Sequence, residues 1–303
     1  MYLHVVGREK KSWIGLYVAL GVVWGASFIF IKLGLEFLTP IGVAFGRVSM
    51  GALTLVFWAR LKKIKLPMDK RIWLHLWVIS LLLNVIPGVL FAVAETEVTS
   101  ILAGIINAVT PLMTLLAIMI ISREEKPKNY QVFGLLLGFI GVLTVLGAWQ
   151  GLGDNPIGAV LALLLAVACY GFSFPYARKF VLPRKIQPEA LAAVQVSAGA
   201  LTLLPLYLID GVAQDGFRPG PVLAMIALGV FGSGFAYIWN FKIMEAAGSA
   251  IASTVTYVTP VVAVILGIIF LGENISWYEP VGVAIVLLGA AIGQQRIKIF
   301  NRS

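Results

Sequence analysis

Charged side chains are scarce in this sequence: Asp, Glu, Lys and Arg make up 12% of its 303 residues. Soluble domains carry about 25%. Here 60% of the residues are apolar, and the mean hydropathy is +0.95. These values lie far outside the averages of soluble proteins, so the composition excludes an ordinary soluble domain and predicts a protein embedded in a lipid bilayer.

Cysteine and histidine are rarer still, with one and two residues. Cys169 has no intrachain partner, which excludes an internal disulfide and leaves the redox compartment open. His4 and His75 lie at predicted membrane edges, and the sequence has no metal-ligand cluster, no Ser/His/Asp set and no Walker glycine loop. We therefore predict that the protein is not an enzyme and uses no cofactor or metal.

Long apolar runs dominate what is present. Ten of them are long enough to cross a bilayer as helices. The first follows basic residues but is too long for the apolar core of a signal peptide, so we interpret it as a retained span. The runs are 13–38, 40–60, 72–94, 99–121, 130–149, 156–178, 189–209, 220–242, 249–271 and 278–296.

The chain consists of two copies of one unit. Residues 48–55 recur at 196–203 with seven of eight unchanged, and residues 25–28 recur in part at 171–174. We therefore divide the chain into repeats 1–150 and 151–303, each with five spans. An odd number of spans makes the second repeat enter the membrane from the opposite face. The prediction is an all-α integral membrane protein of ten transmembrane helices, arranged as two inverted five-helix repeats.

The distribution of basic residues predicts the orientation. If the N-terminus is cytoplasmic, 20 of the 23 Lys and Arg residues fall in inner segments, and the outer loops contain Arg218 alone. By the positive-inside rule, both termini then lie in the cytoplasm, and we expect a bacterial cytoplasmic membrane. Because the net charge of +9 is spread over inner loops, it does not indicate nucleic-acid binding.

Four short motifs stand out in the spans: Trp24-Gly25-Ala26-Ser27-Phe28, Asn107-Ala108-Val109-Thr110-Pro111, Thr259-Pro260 and Leu271-Gly272-Glu273. They resemble the EamA pattern of the drug/metabolite transporter superfamily. The resemblance implies export or exchange of a small metabolite, such as an amino acid, through a central cavity lined by spans one, three, four, six, eight and nine. Because the sequence has no nucleotide-binding loop, such transport would be driven by gradients. A multidrug or nucleotide-sugar carrier of the same superfamily, or a solute channel, remains an alternative.

A polar stripe on the third span supplies the first candidate site residues. Asn84, Phe91 and Glu95 recur at helical spacing on one face, which should meet protein or water instead of lipid. Asn84 could contact the cavity or form an interhelical hydrogen bond. Glu95, near the outer end, could be a functional acid or a carboxylate at the headgroup level.

Prolines and aromatic residues at equivalent places in the two repeats complete the candidates. Pro111 and Pro260 lie in spans four and nine, where each removes a helix hydrogen bond and frees a carbonyl for a hydroxyl or a ligand. They could be gating elements or packing kinks, and the rings could be core or cavity wall. The predicted substrate-binding residues are Trp24, Phe28, Asn84, Phe91, Glu95, Asn107, Thr110, Tyr170, Phe174, Tyr237 and Tyr257.

Arg47 is the costliest residue in the predicted membrane, since an intramembrane arginine costs at least about 2.5 kcal/mol. We expect a gating or structural ion pair with Glu36, Glu95 or Glu97, in one half only, because the duplicate position is the neutral Gln195. Burial would raise the pKa of Glu95 and a nearby cation would lower it, which makes protons a candidate coupling ion. The other expected partners are a small-molecule substrate and the bilayer, and the sequence leaves the oligomeric state open.

Overall fold

A computed structural model describes residues 12–121, 129–145, 149, 156–211, 218–293 and 297. Every regular element in these ranges is helical, which confirms the predicted class. Eight helices are long and apolar enough to cross a membrane. They are α1 (Ser12–Gly34), α2 (Pro40–Leu61), α3 (Lys70–Ala94), α4 (Ser100–Ile121), α6 (Ile157–Phe180), α7 (Pro188–Asp210), α8 (Pro219–Ala247) and α9 (Ser249–Leu271).

Two further helices, α5 (Asn129–Val145) and α10 (Tyr278–Gly293), are apolar but shorter. They pack against each other through small residues: a Cβ atom at Gly289 would lie 2.6 Å from the backbone nitrogen of Gly138. Such close approach of backbones is typical of helices packed in a bilayer. The sequence predicted full spans at these two places, whereas the described helices have 17 and 16 residues.

Helices α3 and α8 each contain a stretch of π-helix, at Leu81–Val85 and Leu228–Phe235. In α3 the wide turn precedes Pro87, which lacks a backbone N–H and cannot continue the regular ladder. In α8 it contains three glycines. Such turns are frequent at functional sites, and these two occupy corresponding places in the two halves.

Helices α4 and α9 are broken where the sequence predicted a kink. Helix α4 ends its first segment at Asn107 and resumes at Thr110, and α9 passes through a 3₁₀ turn at Thr254–Tyr257. Pro111 and Pro260 therefore lie in the first turn of a new segment, where a missing N–H costs no hydrogen bond. The expectation that they interrupt a continuous helix is corrected.

Equivalent glycines pack against equivalent helices of the other half. Gly25 of α1 lies against α9, and Gly171 of α6 lies against α4. In the same way, Gly51 of α2 lies against Ser233 of α8, and Gly199 of α7 lies against α3. A side chain at any of these positions would overlap the neighbouring helix. The two halves therefore interlock, and their central helices enclose a space between them.

Candidate functional site

A cavity lies between the two halves and contains about 500 Å³ of atom-free space, part of it open to solvent. Six helices of the described chain supply most of its wall: α1, α3, α4, α6, α8 and α9. Helix α2 adds Arg47. The lining residues are Trp24, Ser27, Phe28, Ile31, Arg47, Leu83, Phe91, Asn107, Thr110, Tyr170, Phe174, Tyr237 and Thr256.

Eight of the eleven residues predicted to bind substrate line this cavity: Trp24, Phe28, Phe91, Asn107, Thr110, Tyr170, Phe174 and Tyr237. Helical spacing and repeat equivalence thus identified wall residues that are up to 213 positions apart in the chain, from 24 to 237. The cavity is the common location of the aromatic and polar candidates from both halves.

Aromatic rings form one continuous part of the wall. The ring of Phe91 stacks on that of Tyr170, with centroids 5.8 Å apart and an interplanar angle of 19°. Phe28 lies 5.5 Å from Phe91. Trp24 and Tyr237, also in the lining, meet edge to face with their centroids 6.1 Å apart. Flat rings held in this way offer a large apolar surface to a solute.

Each of the two π-helical stretches, in α3 and in α8, accepts a hydrogen bond from an aromatic side chain through a backbone carbonyl. The Tyr237 hydroxyl donates to the carbonyl of Leu83 in α3 at 3.0 Å. The Trp24 indole N–H donates to the carbonyl of Gly232 in α8 at 3.3 Å. Each bond joins the two halves, so the cavity wall is fixed by contacts between them.

The helix breaks of α4 and α9 meet beside the cavity. The Thr110 hydroxyl donates to the Asn107 carbonyl, and the Thr259 hydroxyl donates to the Thr256 carbonyl, both at 2.8 Å. Asn107 Nδ2 also donates to Thr259 Oγ1 across the interface, at 3.2 Å. Hydroxyls thus bind the carbonyls of Asn107 and Thr256 beside the breaks, whereas the sequence had left a hydroxyl or a ligand open. Pro111 and Pro260 themselves lie outside the lining.

Sequence reasoning missed Ser27, Ile31, Leu83 and Thr256 as wall residues. A signal was available for two of them. Ser27 belongs to the repeated 25–28 motif, and Thr256 occupies the position that corresponds to Asn107 in the second repeat. Ile31 and Leu83 are ordinary apolar residues of a span, and no sequence pattern distinguishes them from core residues.

Asn84, Tyr257 and Glu95 lie outside the lining. Asn84 is buried, and its Oδ1 accepts from Gln195 Nε2 at 2.7 Å, which joins α3 to α7. Of the two alternatives for Asn84, the structure therefore shows the interhelical hydrogen bond. Tyr257 is part of the 3₁₀ turn of α9.

Glu95 immediately follows Ala94, the last residue of α3, and is fully buried. Neither of its carboxylate oxygens has a hydrogen-bond partner in the described part of the chain. Lys32 Nζ donates instead to the main-chain carbonyls of Glu95 and Val98, at 2.6 and 3.0 Å. Burial raises the pKa of Glu95 well above its ordinary value, and the positive charges of Lys32 and Arg47 only partly oppose this.

Arg47 is 7% exposed, and its Nε donates to Ser233 Oγ at 3.0 Å. The expected ion pair is not formed: Glu36 lies 3.8 Å from Arg218, and no carboxylate of the described residues lies within 4 Å of Arg47. The residue that we assigned to gating or structure is therefore part of the cavity wall, with its charge unpaired in the described ranges.

Glu273 joins the two halves at another place. Its carboxylate accepts hydrogen bonds from the backbone N–H and hydroxyl of Ser100, both at 2.8 Å, and from the N–H of Ile101 at 3.0 Å. The first N–H groups of a helix have no intrahelical acceptor, and the helix dipole favours an anion there. The loop after α9 thus caps the start of α4.

Comparison with known proteins agrees with this architecture. The model of the EamA-like transporter family matches residues 11–147 and again 157–292. The inner membrane transporter YedA of Escherichia coli strain K12 is 27% identical over 287 residues, which cover 94% of this chain and 91% of that protein. A transporter of Archaeoglobus fulgidus is 25% identical, over 88% of this chain and 92% of its own. A crystal structure of a 19% identical protein shares the fold, with a TM-score of 0.67 over 92% of this chain and 99% of that chain.

The family match covers most of the chain and falls on both halves, in agreement with the duplicated motifs. It confirms the resemblance that the motifs at 24–28, 107–111, 259–260 and 271–273 indicated. Members of this family are transporters and not enzymes, and the eight apolar helices place the protein in a membrane. The chain belongs to the EamA-like transporter family.

Proposed function

We propose that the protein is a gradient-driven carrier that exports or exchanges a small organic metabolite by alternating access, with the central cavity as its binding site. One observation carries the proposal. The cavity lies where the broken helices α4 and α9 meet, and both halves supply its wall. Interrupted helices at the interface of two repeats are where carriers bind their substrates.

The proposed topology has ten spans, with α5 and α10 as the fifth and the tenth, in inverted repeats 1–150 and 151–303. The distribution of basic residues orients both termini to the cytoplasm of a bacterial cell. The reciprocal glycine contacts of α1 with α9 and of α6 with α4 support two related halves. Alternating access is then a movement of one half against the other, with Pro111 and Pro260 at the helix breaks as hinges.

Glu95 is the proposed coupling acid. It is buried, its oxygens lack hydrogen-bond partners among the described residues, and it lies near two cations, Lys32 and Arg47. A carboxyl in such a place is neutral when it is closed off from water and can ionise when that end of α3 opens to water. Export of the solute would then be coupled to entry of a proton.

The binding site is tested by transport measurements on Phe91→Leu in proteoliposomes, after a solute panel has identified a transported compound. The substitution removes the ring that stacks on Tyr170. We expect KM to rise about fivefold, because aromatic contacts contribute about 1 kcal/mol beyond their buried area. The matched control is Phe57→Leu, a ring of α2 that is 64% exposed on the outer surface of the bundle. Equal KM values in both variants and the wild type would contradict a binding role for the cavity.

A further inference from the structure

The cavity wall has an unbalanced positive charge. Of its thirteen described lining residues, Arg47 alone is charged, and the others are aromatic, aliphatic, hydroxyl or amide side chains. Its guanidinium cannot lose its proton in a protein. A solute in the cavity therefore meets one permanent cation and no fixed anion of the described wall.

The orientation of Arg47 is set by Ser233. Its Nε donates to the Ser233 hydroxyl, which is buried within the π region of α8. This bond occupies one donor of the guanidinium. The remaining N–H groups have no acceptor among the described residues, and they are the kind of donors that bind a carboxylate with two parallel bonds.

Helix packing does not require a charge at this position. The second repeat has the neutral Gln195 at the place that corresponds to Arg47, and Gln195 is fully buried and bonded to Asn84. An uncharged amide side chain thus fills the corresponding position in the other half. A buried arginine is costly without a counter-ion, so its presence in the first half calls for an anion that the described residues do not supply.

Glu95 does not supply that anion. It lies outside the lining, it is not within ion-pair distance of Arg47, and its burial favours the neutral acid. The stacked rings of Phe91 and Tyr170 belong to the same cavity wall as Arg47. The cavity therefore combines a cation for an acidic group with a flat apolar surface for the body of a solute.

Resting on the proposed function, we propose that the transported solute is an aromatic organic anion whose carboxylate pairs with Arg47 and whose ring lies against Phe91 and Tyr170. Cationic solutes are rejected by like charge. A zwitterionic amino acid gains the same carboxylate contact, but its ammonium group finds no carboxylate in the described wall.

The test is calorimetric binding to the purified full-length protein in detergent, with four probes that share one phenyl body. They are 3-phenylpropionate, its neutral amide 3-phenylpropionamide, the zwitterion phenylalanine and the cation 3-phenylpropylamine. We expect the anion to bind at least about tenfold more tightly than the amide, because hydrogen bonds to charged groups are the stronger ones. The cation should bind most weakly. Preference for the cation or the amide, or binding of none of the four, would overturn the inference.

The variant Arg47→Gln gives this half the residue of the other half and removes the charge. It should abolish the preference of anion over amide, and Arg47→Lys should keep part of that preference. The control Arg218→Gln removes an exposed cation outside the cavity and should bind as wild type. An unchanged anion preference in Arg47→Gln would assign the selectivity elsewhere.

The two proposals fail in different ways. If a broad solute panel shows saturable exchange in proteoliposomes but only for cations or neutral compounds, the carrier function stands and the anion inference is overturned. If no solute is exchanged in that assay, the carrier function itself is contradicted. The order of the four binding affinities measured on the wild type decides the inference even if Arg47→Gln does not fold.

Discussion

At the scale of residues, three ionisable side chains have distinct surroundings; Arg47 and Glu95 are buried, and Lys32 is half-buried. Arg47 faces the cavity, Lys32 bonds to main-chain carbonyls, and Glu95 is closed off with no partner for its carboxylate oxygens among the described residues. Only a group that gains and loses a proton during the transport cycle can couple transport to a proton gradient. Glu95 is the proposed proton-accepting group, since burial raises the pKa of its carboxyl above the ordinary value.

The substitution Glu95→Gln tests this role. It keeps the size of the side chain and removes titration, so we expect solute exchange to continue while acceleration by an inward proton gradient is lost. Because the pKa of Glu95 is raised, wild-type transport should change with pH above the ordinary range of a glutamate, and the variant should not. The measurement is proteoliposome flux with and without an imposed gradient.

The exposed neighbour Glu97 provides the control, since Glu97→Gln also removes one carboxylate near the same end of α3. It should respond to the gradient as the wild type does. A gradient response that survives in Glu95→Gln and disappears in Glu97→Gln would transfer the coupling role to Glu97.

The sequence predicted much of the cavity wall but not its hydrogen bonds. Periodicity shows which face of a helix is polar, as for Asn84, but not whether that face meets a cavity or the neighbouring α7. The cost of an arginine in the membrane indicated that Arg47 needs a partner. Whether a glutamate is within reach depends on the distances between helices, which the sequence does not give. Glu95 shares a stripe with Asn84 and Phe91, yet it lies beyond the cavity at the end of α3.

At the scale of helices, the contact of Glu273 with α4 links the two halves through three hydrogen bonds. One carboxylate satisfies two backbone N–H groups and a hydroxyl at the start of that helix. Buried donors that lose their acceptor are costly. The cap should therefore contribute to stability as well as to the position of α4 against α9.

Replacement of Glu273 by Ala should lower the free energy of unfolding by about 1–3 kcal/mol, which is the usual cost of leaving buried donors unpaired. Thermal unfolding in detergent measures the effect. Glu245→Ala removes an exposed carboxylate of α8 and should leave the unfolding temperature unchanged. Equal stability of the two variants would show that water replaces the cap without cost.

The positions of the helices could be predicted from hydropathy, but their interruptions could not. The π regions at Leu81–Val85 and Leu228–Phe235 have no signature in an apolar sequence, apart from Pro87 and the glycines of α8. Pro111 and Pro260 marked the breaks of α4 and α9, although the sequence could not show that a new helical segment begins there. The described helices α5 and α10 begin within one residue of their predicted apolar runs, and residues 146–148 and 294–296 of those runs are outside the described ranges.

At the scale of the whole molecule, the proposed inversion of the repeats makes a prediction about topology. In a background where Cys169 is replaced by Ser, cysteines at Ser12 and Ser303 should not react with an impermeant reagent in intact cells, and both should react after permeabilisation. A cysteine at the exposed Thr96, after α3, should react in intact cells. Labelling of either terminus from outside would contradict the ten-span orientation.

The central claim is that the two halves alternate around one cavity, and counterflow measures this most directly. Proteoliposomes loaded with an unlabelled transported solute should take up the labelled solute faster than empty ones, and uptake should saturate with external concentration. Both properties follow from a site that opens to one side at a time. Uptake that rises linearly with concentration and is unaffected by internal solute would contradict the account and indicate a channel.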